Sequence, residues 1–250
     1  MENKEQYKNF SYYYDILMRD IDYKTWGNYI KEIIEKNNVK HNDVLEMACG
    51  TGNISIDMAK RGYKVTAFDI SEDMLSVASN KAAVQGANIQ FLYQDMTNIK
   101  IGKDFGIILC LCDSVNYITE TSDLANLFKW VYSHLKDNGI FIFDINSSYK
   151  LKNIIGNNTF TYNKDDLAYI WDNYMTDENT IEFYVTFFAR QGQLYRRFDE
   201  LHIEKIYETQ DILNMLSDAG FSDIGVNEAF TFDSVTKTSE RINFIVNKHS

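Results

Sequence analysis

The chain of 250 residues contains no proline, although average usage would supply about a dozen. No stiff proline-rich linker can therefore divide it, and active-site motifs that require proline are excluded. Its three cysteines, Cys49, Cys110 and Cys112, lack the Cys/His spacing of a zinc site, so we expect reduced thiols and no metal. The polar N-terminal residues resemble no signal peptide and no apolar run is long enough to span a membrane. We therefore expect a cytoplasmic protein with no membrane partner.

Positive charge is also scarce. The 25 Lys and Arg residues stand against 36 Asp and Glu residues, which gives a formal net charge of -11. A protein that grips a phosphate backbone needs clustered basic side chains. The charge balance therefore argues against a nucleic-acid partner.

Residues 43–53 predict a strand, a turn and the start of a helix. The strand ends in Glu46, and Gly50 and Gly52 allow a ligand to lie against bare backbone. A further predicted strand ends in Asp69, where doubly wound folds place a carboxylate that accepts hydrogen bonds from ribose hydroxyls. Together these features predict a site for a nucleoside cofactor.

Short apolar strands alternate with helices through the first 150 residues. The five predicted strands are residues 44–45, 64–68, 89–93, 105–111 and 140–143. This alternation implies right-handed crossovers and a parallel sheet with helices on both faces. Two further strands, at residues 222–229 and 241–247, complete a predicted Rossmann-like α/β sheet of seven strands.

The pattern changes after residue 150. Polar and apolar residues alternate through much of residues 159–205, and turn residues interrupt the alternation at 177–179 and 190–192. This pattern predicts antiparallel strands that cover the carboxyl edge of the main sheet as a lid. The predicted organisation is a domain of residues 1–150 and 206–250, with an N-terminal helical cap at 1–38 and an inserted β lid at 151–205.

The run 46–52, Glu-Met-Ala-Cys-Gly-Thr-Gly, resembles the first motif of the class I S-adenosylmethionine-dependent methyltransferases. Residues 65–75, 94–96 and 104–117 resemble the next three motifs, in the family's order and spacing. The resemblance covers most of the chain, and it is to the bacterial small-molecule type with inserted antiparallel strands. It implies S-adenosyl-L-methionine as cofactor, S-adenosyl-L-homocysteine as product, and a last strand antiparallel to its neighbours.

The resemblance also implies roles for individual residues on the cofactor side. The backbone at Ala48 and Gly50 would hold the amino-acid part, Asp69 the ribose, and Asp95 the adenine amino group. The family's usual first glycine is Ala48 here, which we expect to alter affinity without abolishing it. The full cofactor-binding set is Glu46, Ala48, Gly50, Gly52, Asp69, Ile70, Met74, Asp95, Met96 and Trp26.

Candidate acceptor-side residues follow the fourth strand or lie in the insertion: Asp113, Asn116, Tyr117 and Arg197. Tyr14 and His202 are the candidate catalytic residues. An aromatic ring face suits a cation, and a histidine of ordinary pKa could deprotonate an acceptor. For both residues a purely structural role stays open, because methyl transfer needs a general base only when the nucleophile is protonated.

The acceptor is predicted to be a small molecule methylated on nitrogen or oxygen. Residues 112–117 lack the prolines with which enzymes that methylate nucleic-acid bases usually clamp a flipped base. Two rival functions stay open. A nicotinamide-dependent oxidoreductase is disfavoured because Ser55 replaces the third glycine of the dinucleotide motif. A non-catalytic S-adenosylmethionine-binding protein would carry the same cofactor residues.

Overall fold

The computed structural model describes residues 10–17 and 22–249. Its α-helices are α1 (Phe10–Leu17), α2 (Tyr23–Lys36), α3 (Asn53–Lys60), α4 (Glu72–Val84), α5 (Thr121–His134) and α6 (Thr209–Ala219). A short 3-10 helix spans Ser114–Tyr117 and a π-helix spans Lys150–Ile155. The predicted helical cap falls partly on residues 1–9 and 18–21, which lie outside the described residues. Within the described ranges, no helix combines the length and apolar character needed to cross a membrane.

The main sheet contains seven strands: β1 (Asp43–Met47), β2 (Lys64–Asp69), β3 (Ile89–Tyr93), β4 (Phe105–Cys110), β5 (Leu135–Asn146), β10 (Asp223–Glu228) and β11 (Arg241–Lys248). Their order is β3-β2-β1-β4-β5-β11-β10, and the first five are parallel. The last strand, β11, runs antiparallel to both β5 and β10. The predicted seven-stranded Rossmann-like α/β sheet with an antiparallel last strand is therefore confirmed.

Helices cover both faces of this sheet, as predicted. On one face, α5 and α6 bury Leu127, Phe128 and Leu216 against the sheet. On the other face, α2 and α3 bury Ile33 and Met58. The central strand β4 is apolar along its whole length because both faces of the sheet are covered there, and every one of its residues is buried.

The chain reverses the direction of its crossovers between β1 and β4, which lie side by side in the sheet. From β1 the chain passes to β2 and β3 on one side, whereas from β4 it passes to β5 on the other. The loops after β1 and β4 therefore diverge and leave a crevice at the carboxyl ends of the strands. This crevice is where the fold places a ligand.

A second sheet is built from β6 (Thr159–Asn163), β7 (Leu167–Asp177), β8 (Thr180–Gln191) and β9 (Leu194–Lys205), in that order and antiparallel throughout. Its tight turns fall at the two predicted positions, where Asp177 accepts a hydrogen bond from Asn179 N and Gly192 adopts a φ of 67°. The predicted start of the insertion, residue 151, falls in the π-helix, whose Leu151 and Ile155 pack on this sheet.

The side chain of Asn116 joins the two sheets. Its Nδ2 donates to Lys205 O at the end of β9 (2.9 Å), and its Oδ1 accepts from Asn146 N at the end of β5 (2.9 Å). Asn116 is fully buried, so water cannot replace either bond.

Replacement of Asn116 by alanine should lower the free energy of unfolding by about 2–4 kcal/mol, because it leaves buried backbone groups on both sheets unpaired. Urea denaturation followed by circular dichroism measures this loss. Asn214→Ala, on the exposed face of α6, is the matched control and should change stability by no more than about 0.5 kcal/mol. If Asn116→Ala lowers the free energy of unfolding no more than the control does, the hydrogen bonds of Asn116 do not hold the two sheets together.

Candidate active site

A cavity of about 1200 Å³ opens at the carboxyl ends of β1 to β4 and extends to the second sheet. Twelve of the sixteen site residues predicted from the sequence line it: Tyr14, Glu46, Ala48, Gly50, Asp69, Ile70, Met74, Asp95, Met96, Asp113, Tyr117 and His202. The structure thus brings the candidate cofactor and acceptor residues to one space. Gly52, Trp26, Asn116 and Arg197 are not among the residues that line it.

The turn after β1 presents bare backbone to the cavity. Ala48 and Gly50 have φ angles of 50° and 53°, and a Cβ placed on Gly50 would have no neighbour within 4 Å. A ligand can therefore approach the Gly50 backbone closely. Gly52 serves packing instead, because a Cβ there would lie 3.1 Å from the Cβ of Ala78 and 3.4 Å from the ring of Phe91.

Glu46 stabilises the first turn of the helix that follows. Gly52, at the N-cap of α3, offers no side-chain cap, and Glu46 instead accepts hydrogen bonds from the hydroxyl and backbone N–H of Ser55. Glu46 is only 4% exposed, and this burial, with a smaller contribution from Asp69, raises the pKa of its carboxyl to about 8. Ser55, which occupies the third-glycine position, is thus the partner of a buried acid.

Asp69 connects the loops after β1 and β2. Its carboxylate accepts from Gly50 N (2.8 Å) and from Ser71 N (2.9 Å). Burial raises the pKa of Asp69, and these backbone donors oppose the rise. The backbone N–H of Ile70 also acts on this carboxylate. A carboxylate has about four acceptor positions, so capacity remains for a ligand in the cavity.

Apolar side chains and one acid extend the cavity toward β3. Met74 on α4 is buried, and Met96 after β3 places its Sδ 3.7 Å from Cys110 Sγ. The carboxylate of Asp95 accepts from both the N–H and the hydroxyl of Thr97, at 2.8 Å each. With Ile70, these residues form a slot that suits a flat apolar ring with a polar edge.

Helix α1 is fastened over the glycine turn through Asp15. The carboxylate pairs with Lys81 Nζ (2.6 Å) and accepts from Thr51 Oγ1 (2.7 Å) and Asn53 Nδ2 (3.1 Å). Burial alone would raise the pKa of Asp15, but Lys81, Thr51 and Asn53 together lower it by more, so the pKa lies below its ordinary value. The ion pair therefore holds α1 on the turn.

Tyr14, the neighbour of Asp15, lines the cavity. Burial and the nearby Cys112 raise the pKa of its phenol well above the ordinary value. The hydroxyl therefore stays protonated at neutral pH, and it lies within hydrogen-bonding reach of the Tyr23 side chain.

A half-buried arginine, which the sequence analysis missed, organises the acceptor end. Arg241 at the start of β11 pairs with Asp113 Oδ1 through Nη2 (2.6 Å) and with Asp144 through Nη1. Asp144 also accepts from the backbone N–H groups of Cys112 (2.8 Å) and Asp113 (3.0 Å). Burial raises the pKa of Asp113, but Arg241 more than compensates and lowers it. The only sequence signal for this cluster was Asp144, which follows the predicted strand at residues 140–143.

A protonated carboxyl joins this cluster from the second sheet. Burial and the charge of Asp113 raise the pKa of Glu204 well above its ordinary value, so Glu204 donates its proton to the Asp113 carboxylate. Asn146 Nδ2 donates to Glu204 Oε2 (3.1 Å), and Lys150 Nζ donates to Asn146 Oδ1 (2.9 Å). The polar network therefore spans both sheets.

His202 lies on the same face of β9 as Glu204 and is 6% exposed. Burial lowers the pKa of its imidazole to about 4, although the charge of Asp113 opposes this shift. The ring is therefore neutral at neutral pH. Its edge meets the ring of Tyr117, with 5.9 Å between the ring centroids.

Three predicted site residues, Arg197, Trp26 and Asn116, make contacts of their own elsewhere and are not among the residues that line the cavity. Arg197 lies on the outer face of β9, where it pairs with Asp199 (2.9 Å), since residues 198, 200 and 202 take the inner face. Trp26 stacks on Phe230 at 4.1 Å between centroids. The Asn116 side chain is hydrogen-bonded to the backbone of Lys205 and of Asn146 instead.

The comparisons agree with this geometry. The model of a family described as "methyltransferase domain" matches residues 44–139. A protein of Geobacillus sp. strain WCH70, named as a methyltransferase without a stated acceptor, is 35% identical over 97% of this chain and 99% of its own. The crystal structure of an S-adenosylmethionine-dependent methyltransferase from Clostridium acetobutylicum is 40% identical, covers 98% of this chain and 99% of that one, and has a TM-score of 0.91.

A more distant solved structure shares the fold alone. The sugar N-methyltransferase KedS8 from Streptoalloteichus is 16% identical, with coverage of 95% and 93% and a TM-score of 0.77.

Replacement of Glu46 by glutamine should change how stability depends on pH. Between about pH 4.5, the ordinary pKa, and pH 8, the folded chain keeps a proton on Glu46 that the unfolded chain has released. The free energy of unfolding therefore falls as pH rises through this window, by about 1.4 kcal/mol per pH unit for this group. Glu46→Gln should remove that slope.

Urea denaturation at pH 5, 6, 7 and 8 tests this expectation. Glu72→Gln, which neutralises an exposed acid on α4, should keep the wild-type slope. Parallel pH profiles for wild type and Glu46→Gln would show that Glu46 is not buried as a neutral acid.

Proposed function

Because this chain belongs to the S-adenosylmethionine-dependent methyltransferases, we propose that it moves a methyl group to a nitrogen or oxygen atom of a small-molecule acceptor. One observation carries the acceptor class: the cavity that begins at the Gly50 turn continues to the inner face of the second sheet. A volume of about 1200 Å³ exceeds the roughly 300–1,000 Å³ of ordinary ligand sites. It has room for the cofactor and a small acceptor together.

The residues at the cofactor end fit S-adenosyl-L-methionine. The bare backbone at Gly50 suits the amino-acid part, and the remaining acceptor capacity of Asp69 suits a ribose hydroxyl. The slot formed by Ile70, Met74, Asp95 and Met96 suits adenine. When bound, S-adenosyl-L-methionine supplies an activated methyl group and leaves as S-adenosyl-L-homocysteine.

Enclosure of the acceptor supports a small molecule over a nucleic acid. Tyr14 on α1 and His202 on β9 line the cavity from two elements that are not part of the main sheet. The net charge of -11 would repel a phosphate backbone. The named acceptor of the distant KedS8, a sugar, is also small.

Alignment of the two reactants and exclusion of water are the protein's main tasks in such a transfer. We assign the Tyr14 phenol, which stays protonated, to positioning at the transfer point. His202 is neutral, and since burial lowers its pKa to about 4 we assign its ring to positioning of the acceptor. Asp113 is fixed by Arg241 and can orient a donor group of the acceptor.

Turnover tests the proposal. The protein incubated with S-adenosyl-L-methionine and a panel of small amines and alcohols should produce S-adenosyl-L-homocysteine only when an acceptor is present, as measured by mass spectrometry. Binding of S-adenosyl-L-homocysteine without turnover on any acceptor would favour the non-catalytic alternative. Binding of NADH in preference to S-adenosyl-L-homocysteine, measured by fluorescence titration, would favour an oxidoreductase.

Replacement of Asp69 by asparagine should weaken S-adenosyl-L-homocysteine binding by about 10- to 100-fold. A hydrogen bond to a charged group contributes about 1.5–3 kcal/mol, and asparagine retains the shape without the charge. Isothermal titration calorimetry measures the affinity. Asp73→Asn, in the first turn of α4, is the matched control, and equal affinities for the two variants would remove Asp69 from the cofactor contacts.

A further inference from the structure

The second sheet presents a row of three side chains to the cavity. Trp171 on β7, Val185 on β8 and Glu200 on β9 are directly opposite one another in the strand register. Opposite residues of paired strands share a face of the sheet, and all three line the cavity. The row therefore forms part of the wall at the acceptor end.

Two polar atoms in this row have no hydrogen-bond partner among the described residues. One is Glu200 Oε2, on a side chain that is only 5% exposed, and the other is the indole Nε1 of Trp171. Buried polar groups are nearly always paired, and each exception calls for an explanation. Here an unpaired acceptor oxygen and an unpaired donor N–H belong to two side chains that line the same cavity.

No cation of the described chain neutralises Glu200. Arg241 pairs with Asp113 and Asp144, and none of the ion pairs within residues 10–17 and 22–249 includes Glu200. The neighbouring His202 is neutral, because burial lowers its pKa to about 4. Burial raises the pKa of Glu200 itself to about 8, as expected for an acid that lacks a counter-charge.

Aromatic rings complete the surroundings of this acid. Phe183 and Phe187 lie on the inner face of β8 on either side of Val185, and both are buried. Ring faces attract cations, most strongly where water is excluded. With a pKa of about 8, Glu200 is mostly protonated at pH 7 while the cavity is empty. An ammonium group supplies the missing counter-charge and lowers that pKa, so the acid binds it as a carboxylate, whereas a neutral hydroxyl does not.

From this arrangement we propose that the methyl acceptor is a protonated amine that bears an oxygen atom. The Glu200 carboxylate binds its ammonium group, and the Trp171 indole donates a hydrogen bond to its oxygen. This inference rests on the proposed function, because it identifies the substrate class of the same site.

The chemistry of transfer is consistent with such an acceptor. An ammonium nitrogen has no lone pair, so it must lose one proton before it can attack. The Glu200 carboxylate can accept that proton, which leaves a neutral amine and a carboxylic acid. The nitrogen then has the lone pair that a bond to the methyl carbon requires.

Matched amine and alcohol probes test the proposal in the protein saturated with S-adenosyl-L-homocysteine. The pairs are glucosamine with glucose and cyclohexylamine with cyclohexanol, titrated by calorimetry at pH 7. At least one amine should bind ten times more tightly than its alcohol partner, and Glu200→Gln should abolish that preference. The matched control, Glu182→Gln, removes an acid from the outer face of the same sheet, where it pairs with the Tyr184 hydroxyl, and should keep the preference.

A second variant tests the oxygen contact. Trp171→Phe keeps a ring but removes the indole N–H, so it should weaken glucosamine binding several-fold more than cyclohexylamine binding. Thermal melts of each variant show whether it is folded before it is titrated.

The proposal is overturned if no amine binds, if the alcohols bind as tightly as the amines, or if the preference survives in Glu200→Gln. The first titration separates this failure from failure of the proposed function. Protein that binds S-adenosyl-L-homocysteine without an amine preference contradicts only the acceptor class, whereas protein that does not bind S-adenosyl-L-homocysteine contradicts the proposed function itself.

Discussion

The site depends on the hydrogen bonds that the Asp69 carboxylate accepts from Gly50 N and Ser71 N. They tie the loop after β1 to the loop after β2, so the bare backbone of Gly50 and the acid share one orientation toward the cavity. Glu46 adds a second restraint through Ser55. Burial of a carboxyl group is costly unless hydrogen-bond donors compensate it. At this rim the donors are Gly50, Ser71 and Ser55, which belong to the same loops and helix that the two acids hold in place.

The acceptor end relies on a different interaction, in which one arginine pairs with two acids, the buried Asp144 and the half-buried Asp113. Because β11 runs antiparallel to β5, its first residue, Arg241, lies at the carboxyl rim opposite Asn146. That direction brings the guanidinium to Asp144 and Asp113. A parallel last strand would place its first residue at the other edge of the sheet, and Asp144 and Asp113 would lose their ion pairs with Arg241.

The second sheet shows how strand register selects function. Successive residues of a strand point to opposite faces, so Glu200 and His202 enter the cavity while Arg197 and Asp199 pair on the outer surface. The sequence pattern correctly placed Glu200 and His202 on one face. The same alternation places Arg197, an odd number of residues before Glu200, on the opposite face, and the choice of Arg197 as an acceptor-side residue overlooked it.

The sequence by itself determined the features that depend only on residues close together in the chain. The glycine turn, the strand-end acids and the two hairpin turns are short patterns, and the order of the motifs was enough to predict the sheet and its cofactor. Only the tertiary structure decided which distant residues meet: Arg241 with Asp144, Asn116 with Lys205, and Glu200 with the wall opposite Trp171. These contacts depend on strand direction, register and packing between elements far apart in the chain, and no local pattern encodes them.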